Sequence, residues 1–354
     1  MNSSTIHHSQ LTIHYRMPAE WEPHKRTWLA WPHAKEDWPD KFAPVPWIFC
    51  EMVRTIAVSE RVGLVVKSER AMDEAREHLG RVDVDMKKVD FHIIPTNRGW
   101  LRDCGPIFVR DGKKIIALDW GFNGWAKYDN WQRDNKVPGE IAALTKHERV
   151  VPIYKNAQVV LEGGGIDVDG EGTILVTEEW LLSKTQVRNP GFSRAHYEAV
   201  FADMLGCDTT IWLGKGIVGD DTHGHVDDIT RFVAPGRVVT VVEPNMKDAN
   251  HELLNDNLAR LKRARDAKGR KLEVIELPMP RPVLCEGERL PASYANFLIC
   301  NKTVLVPIFG DVNDRVALDI LAECFPDRQI HPIYARDLVW GLGTIHCLTQ
   351  QEPL

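Results

Sequence analysis

The sequence lacks a CxxC pair, and its seven cysteines (Cys50, Cys104, Cys207, Cys285, Cys300, Cys324 and Cys347) are odd in number and scattered over 354 residues. That argues against a zinc ribbon and against a disulfide framework. No run of about 18 apolar residues occurs, so no transmembrane helix and no membrane partner are expected. The N-terminal stretch MNSSTIHHSQLTIHYRMP has no apolar signal core, so a cytoplasmic location is expected. An excess of positive charge is missing as well. Lys and Arg number 44 against 50 Asp and Glu, a net charge of −6. This is a poor footprint for nucleic acid and suits a small cationic ligand. No low-complexity linker divides the chain, so one domain over 1–354 is expected, large enough to bury its own core.

What the sequence does have is a repeated pattern. Hairpins are predicted at 106–120 (PIFVRDGKKIIALDW), 165–177 (GIDVDGEGTILVT), 231–243 (RFVAPGRVVTVVE) and 296–308 (NFLICNKTVLVPI). Each sets two β-branched or aromatic runs across turn residues. Helical spacing follows at 194–205, 249–267 and 313–324, and short strands follow those at 210–213, 272–277 and 329–334. The N-terminal part fits the same scheme, with strands at 26–31 and 89–95 and helices at 46–58 and 70–79. The result is about five ββαβ units with a period of roughly 60 residues, the last closed by the C-terminal segment. An α/β ring of such units would have no free sheet edges and a central channel. A doubly wound sheet is the competing architecture.

Polar clusters sit just before three of the hairpins. Asp103 lies five residues before Phe108, and Asp227 five before Phe232, so the repeat puts both at equivalent points facing the centre of a ring. Glu162, in Leu161-Glu-Gly-Gly-Gly165, stands at the mouth of the unit between them. Its glycines are expected to permit positive φ and close backbone approach. Carboxylates facing one another stay ionised only if a cation joins them. A guanidinium offers a planar fork that matches two carboxylates. His225 lies two residues from Asp227 and would share a strand face with it. A zinc site using His225, Asp227, Glu162 and Cys347 is the alternative. Cys347 sits in a glycine-flanked loop, where a reactive thiol needs a partly exposed setting that favours the thiolate. The cationic substrate and His225 could supply it.

These motifs resemble the agmatine deiminase and bacterial peptidylarginine deiminase family. The stretches that carry the resemblance are Trp100-x-Arg-Asp-x-Gly-Pro106, Leu161-Glu-Gly-Gly164, Asp221-Thr-x-Gly-His-Val-Asp-Asp228 and Ile345-His-Cys-Leu-Thr-Gln350. They run in family order from Met17-Pro-x-Glu-Trp21 to Gln351. The resemblance implies a five-bladed α/β-propeller (the pentein fold) and no metal or organic cofactor. It implies Cys347 as nucleophile and His225 as general acid/base. It further implies Glu162 as the carboxylate that orients His225, and Asp103 and Asp227 as the grip on the guanidinium. The implied reaction is hydrolysis of agmatine to N-carbamoylputrescine and ammonia, a step toward putrescine.

Two departures bear on substrate. Phe122-Asn-Gly-Trp-Ala-Lys-Tyr128 has neither the arginines of the peptidylarginine enzymes nor the Gly-Gly of agmatine deiminases. Arg98 stands where agmatine deiminases tend to carry an acidic residue. Trp100 and Trp125 favour a bare alkyl guanidine, by packing on its chain or stacking on its cation. Deimination of arginine, peptidyl-arginine or another substituted guanidine remains an alternative. So do amidino transfer, in which an amine resolves the thioether, and a non-catalytic binding propeller. A homo-oligomer is compatible with all of these.

Overall fold

The computed structural model describes residues 15–354. Among them lie five sheets of three or four strands and two short two-stranded hairpins. Four sheets share one construction: an antiparallel pair, a helical crossover, then a parallel third strand. In one, Thr230–Ala234 pairs with Arg237–Val242, the helix His251–Arg263 crosses over, and Glu273–Pro278 pairs in parallel. Leu298–Ile299, Thr303–Ile308, Asp314–Cys324 and Gln329–Tyr334 repeat the pattern. So do Ile107–Asp111, Lys114–Leu118, Val137–Thr145 and Glu148–Val150. The same holds for Asp167–Val168, Thr173–Thr177 and Thr209–Leu213, with Glu178–Leu182 and Arg194–Leu205 between the last two. All four hairpins read from the sequence are present, and the helices fall within a few residues of their predicted bounds.

The fifth sheet joins the two ends of the chain. The order is Thr349–Pro353, His24–Ala30, Arg61–Val66, Val89–Ile93. The C-terminal strand runs antiparallel to His24–Ala30 and so takes the place of the first hairpin strand in the other sheets. Side chains reinforce this closure. Glu352 is fully buried and accepts from Trp28 Nε1 at 3.0 Å, with Arg26 at 3.2 Å, Lys25 at 3.2 Å and His147 at 3.0 Å. The buried carboxylate holds its charge because cations and donors surround it, and its pKa lies below the usual range.

The strands bury β-branched and aromatic residues between sheets and helices. One large core runs from Trp28 to Leu348, and a smaller one gathers Ile107, Trp120, Trp180, Tyr197 and Phe201. Helix starts follow local chemistry. Pro46 occupies the first turn of Val45–Ala57, the Ser68 side chain caps Glu69–Leu79, and Ser193 and His196 form a reciprocal cap on Arg194–Leu205. No described helix is long and apolar enough to cross a membrane.

Glu352→Gln should lower stability by about 1–3 kcal/mol, because charged hydrogen bonds to a buried group are lost and Arg26 keeps only Asp90 as a counterion. Urea unfolding followed by circular dichroism checks this, and an unchanged midpoint would remove the chain-end closure from the account.

Candidate active site

Four helical turns precede the first strands of four sheets. They are Leu101–Cys104, Gly163–Gly165, Val226–Asp228 and Ile345–Leu348. Each turn redirects the chain into its sheet, and each carries or adjoins one of the residues singled out by sequence. Asp103, Glu162, His225, Asp227 and Cys347 are all buried, with Cys347 at 4% exposure. Cys347 therefore stands on a buried helical turn, not in a partly exposed loop. His225 directly precedes the Val226–Asp228 turn, so it does not share a strand face with Asp227.

The convergence is tight. His225 Nδ1 lies 3.7 Å from Asp103 Oδ1, and its Nε2 lies 3.6 Å from Glu162 Oε2. These are ion-pair distances, too long for hydrogen bonds, and both ring nitrogens lack a hydrogen-bond partner within the protein. Gly164 marks the centre. A Cβ there would stand 2.7 Å from His225 Nδ1, 2.8 Å from Asp103 Oδ1 and 3.1 Å from Asp227 Oδ2. Three polar groups thus surround one glycine backbone, whose N–H donates to Asp103 Oδ1 at 3.1 Å. The glycine run does not use left-handed backbone, contrary to the expectation from sequence. Space requires it: Cβ atoms at Gly163 and Gly165 would meet Arg102 O and the Trp180 ring at 2.4 Å.

Electrostatics follow from burial and neighbours. Burial opposes charge on Glu162, but Arg188 and His225 overcome it and bring its pKa to about 2. Arg188 Nε donates to Oε1 at 2.9 Å and Trp180 Nε1 to Oε2 at 2.6 Å, which fixes the carboxylate plane. Asp103 is pushed to about 6, first by burial and then by Asp227 and Glu162, with His225 and Trp125 pulling the other way. Burial alone would lower the His225 imidazole, yet Asp103, Glu162 and Asp227 raise it to about 9. Burial, Asp227, Asp228 and Asp103 together hold the Cys347 thiol well above its ordinary value. The free site therefore contains a protonated thiol and an imidazolium among carboxylates.

Both tryptophans belong to this cluster. Trp125 Nε1 donates to Asp103 Oδ2 at 2.9 Å. The Trp125 backbone is left-handed, with φ 56°, a conformation that costs about 1–3 kcal/mol and aims the indole at the carboxylate. Trp100 packs against Gly343, where a Cβ would lie 2.8 Å from the indole and 3.2 Å from Cys347 Cβ. Trp100 also stacks on Trp38 and donates to Asp37 Oδ2 at 2.9 Å. Arg98 is held by Asp37 and Asn130 and lies over the Tyr128 ring at 4.0 Å. Asp221 accepts from the Tyr128 hydroxyl at 2.7 Å and pairs with Lys127.

Sequence reasoning missed the supporting groups. His346 Nδ1 lies 2.6 Å from Asp227 Oδ2 and its Nε2 lies 2.8 Å from Glu20 Oε2. Lone pairs cannot face lone pairs at such distances, so each contact holds a proton. Glu20 in turn accepts from Arg231 at 2.8 Å. Asn296 and Asp228 are both buried, and Asn296 Nδ2 donates to Asp228 Oδ1 at 3.0 Å and to Cys347 Sγ at 3.1 Å. The signal for His346 was adjacency to Cys347; Asn296 had none beyond its place at a hairpin start. Among the described residues, the group bringing metal-ligating atoms within 4.8 Å is Asp227, Asp228 and Cys347. That group differs from the zinc set with His225 and Glu162 weighed from sequence.

Residues 16–353 match the Porphyromonas-type peptidyl-arginine deiminase family. The chain belongs to this family. Agmatine deiminase of Stutzerimonas stutzeri is 38% identical over 363 aligned positions, covering 96% of this chain and 95% of that protein. The solved agmatine deiminase of Enterococcus faecalis superposes with a TM-score of 0.88 at 34% identity, covering 96% of each chain. A substrate-bound variant of the agmatine deiminase from C. jejuni superposes at 0.85 with 27% identity, again over 96% of each chain. These family members share α/β architecture with this chain over nearly its full length.

Gly164→Ala should reduce turnover by about 100-fold or more, since a misplacement near 1 Å at reacting groups has that consequence. Wild-type-like activity in the folded variant would show that His225, Asp103 and Asp227 need not share this space.

Proposed function

We propose that this family member is a cysteine-dependent hydrolase that converts agmatine to N-carbamoylputrescine and ammonia. The observation that carries the reading is the enclosure of one thiol and one imidazole by Asp103, Glu162 and Asp227 in a buried site. Such a site is short of a cation, and a flat guanidinium supplies it while filling the two-carboxylate grip. The named relatives are agmatine deiminases along nearly the whole chain. We read the five sheets as blades of one propeller formed by residues 1–354, with the site at its centre, in a cytoplasmic enzyme.

In this scheme Asp103 and Asp227 hold the guanidinium. Its positive charge offsets the carboxylate field that keeps Cys347 protonated, so the thiol loses its proton to solvent only when substrate is bound. The thiolate attacks the guanidinium carbon and forms a tetrahedral adduct. The His225 imidazolium protonates the leaving nitrogen, and ammonia departs, leaving an amidino-thioether. Neutral His225 then takes a proton from water as the water attacks that carbon. Collapse of the second adduct breaks the C–S bond and releases the ureido product and the thiolate. Substrate cation and water become ureido product and ammonium, with His225 restored. Glu162, fixed by Arg188 and Trp180, holds the imidazole in place. Trp125 and Trp100 enclose the substrate near Asp103 and Cys347.

The field of negative charge also favours agmatine over arginine, because the carboxylate of arginine would need a cationic partner. Arg98, the cation on the neighbouring loop, is already paired with Asp37. Cys347→Ser should abolish ammonia release while the protein stays folded. A panel of agmatine, arginine, benzoyl-arginine amide and a peptide with C-terminal arginine, assayed for ureido product, tests the substrate. Preference for a carboxylate-bearing guanidine would overturn the agmatine assignment.

The pH dependence follows from signs. Asp103 must be ionised to grip the cation, and with its pKa raised to about 6 it gains a proton as pH falls below that value. His225 must be protonated to serve as acid, and with its pKa raised to about 9 it loses that proton as pH rises through that value. A plot of kcat/KM should therefore rise with pH through about 6, keep rising because Cys347 must also ionise, level off near pH 9 where His225 loses its proton, and fall only above that. His225→Asn should remove nearly all turnover, and a basic limb surviving in its residual activity would assign that limb to another group.

A further inference from the structure

Four of the five sheets deliver a chemically obvious residue to the site from the segment before their first strand. The sheet that starts at Leu298–Ile299 delivers Ser293-Tyr-Ala-Asn296, which carries no charge. Yet the Asn296 side chain is fully buried and reaches the nucleophile. Its Oδ1 accepts from Thr344 Oγ1 at 2.7 Å, from His346 N at 3.1 Å and from Cys347 N at 3.4 Å. Three donors on that side fix the orientation of the amide. Nδ2 must then face the other way, where it donates to Cys347 Sγ at 3.1 Å and to Asp228 Oδ1 at 3.0 Å.

We propose that Asn296 is a positioning residue for the reaction, holding the Cys347 sulfur in place and stabilising its thiolate through the Nδ2–H donor. The inference rests on Cys347 being the nucleophile. The chemistry is direct. A sulfur anion accepts an N–H bond more strongly than a thiol does, so this donor favours ionisation. The other close neighbours of the sulfur are carboxylates, Asp227 at 3.5 Å among them, which act in the opposite direction. Asn296 is also the neutral choice at this point. A lysine would supply a stronger donor, but it would compete with the substrate cation for Asp227 and Asp228.

A purely structural Asn296 would only clamp the Thr344–Cys347 turn through Oδ1, and three variants separate the roles. Asn296→Ala and Asn296→Asp both remove the donor to sulfur. The aspartate keeps the volume and the Oδ1 contacts but adds a carboxylate beside Asp228 and the sulfur, so an upward shift in alanine is the one that reports the lost donor. Thr344→Val removes one Oδ1 contact and leaves Nδ2 untouched. The readout is the pH midpoint of iodoacetamide alkylation at Cys347 in the intact protein, with Cys347→Ser defining the background from other cysteines. The Asn296 variants should move the midpoint upward by about one pH unit, a tenfold loss of thiolate at a given pH. They should lower kcat more than they raise KM. Thr344→Val should leave the midpoint within about 0.3 unit. An unchanged midpoint in a folded Asn296 variant, or an equal shift in Thr344→Val, would overturn the proposal. A failure of the agmatine reading would show in the substrate panel and leave these midpoints as they are.

Discussion

The constraint on which this site depends is a surplus of buried negative charge. Asp103, Glu162, Asp227 and Asp228 lie close together where water cannot screen them. Each alone would cost several kcal/mol to bury ionised. Glu162 is paired with Arg188 and Asp227 is hydrogen-bonded by His346, and both are held below the ordinary carboxylate range. Among the described residues Asp228 has no such partner and Asp103 has only His225, at 3.7 Å, and both are pushed toward the protonated form. The free protein thus stores an electrostatic imbalance that a single flat cation relieves. In the proposed scheme recognition and activation become one event, because the charge that fills the carboxylate grip also frees the thiol proton.

That imbalance is tolerated because a second layer is locked. Glu20 accepts from Arg231, His346 and the Ile299 backbone, and Arg102 donates to His346 O and Gln351 Oε1. Arg231 also donates to Phe297 O at 2.7 Å. These bonds tie together segments near residues 20, 102, 231, 297 and 346, so four sheets share one buried network. A layer with its own charges matched can hold unmatched groups at fixed positions, which is what preorganised catalysis requires. Its bonds restrict the side chains before any ligand arrives.

Much of this is legible in the sequence, and the reason is periodicity. Hairpin signals supply a frame, and Asp103 and Asp227 hold equal offsets from Phe108 and Phe232 within it. Glu162, His225 and Cys347 are legible because charged or nucleophilic residues flanked by glycine stand out. Asn296, His346 and Glu20 are not legible as part of the site. An asparagine before a strand looks like any turn residue, and Glu20 is more than 300 positions from its partner His346. The glycines in 163–165 depart from the sequence expectation for a related reason. Sequence carries the absence of a side chain, but only packing tells whether that absence provides backbone freedom or room.

The turn that carries Cys347 and the strand that joins the two ends of the described chain are continuous. Cys347 precedes Thr349 by two residues, and Thr349 begins the strand that pairs with His24–Ala30. The turn Ile345–Leu348 is held on one side by Asn296 and on the other by entry into that strand. The strand that brings the two ends of the described chain together therefore also sets the Cys347 sulfur beside Asp227 and Asp228.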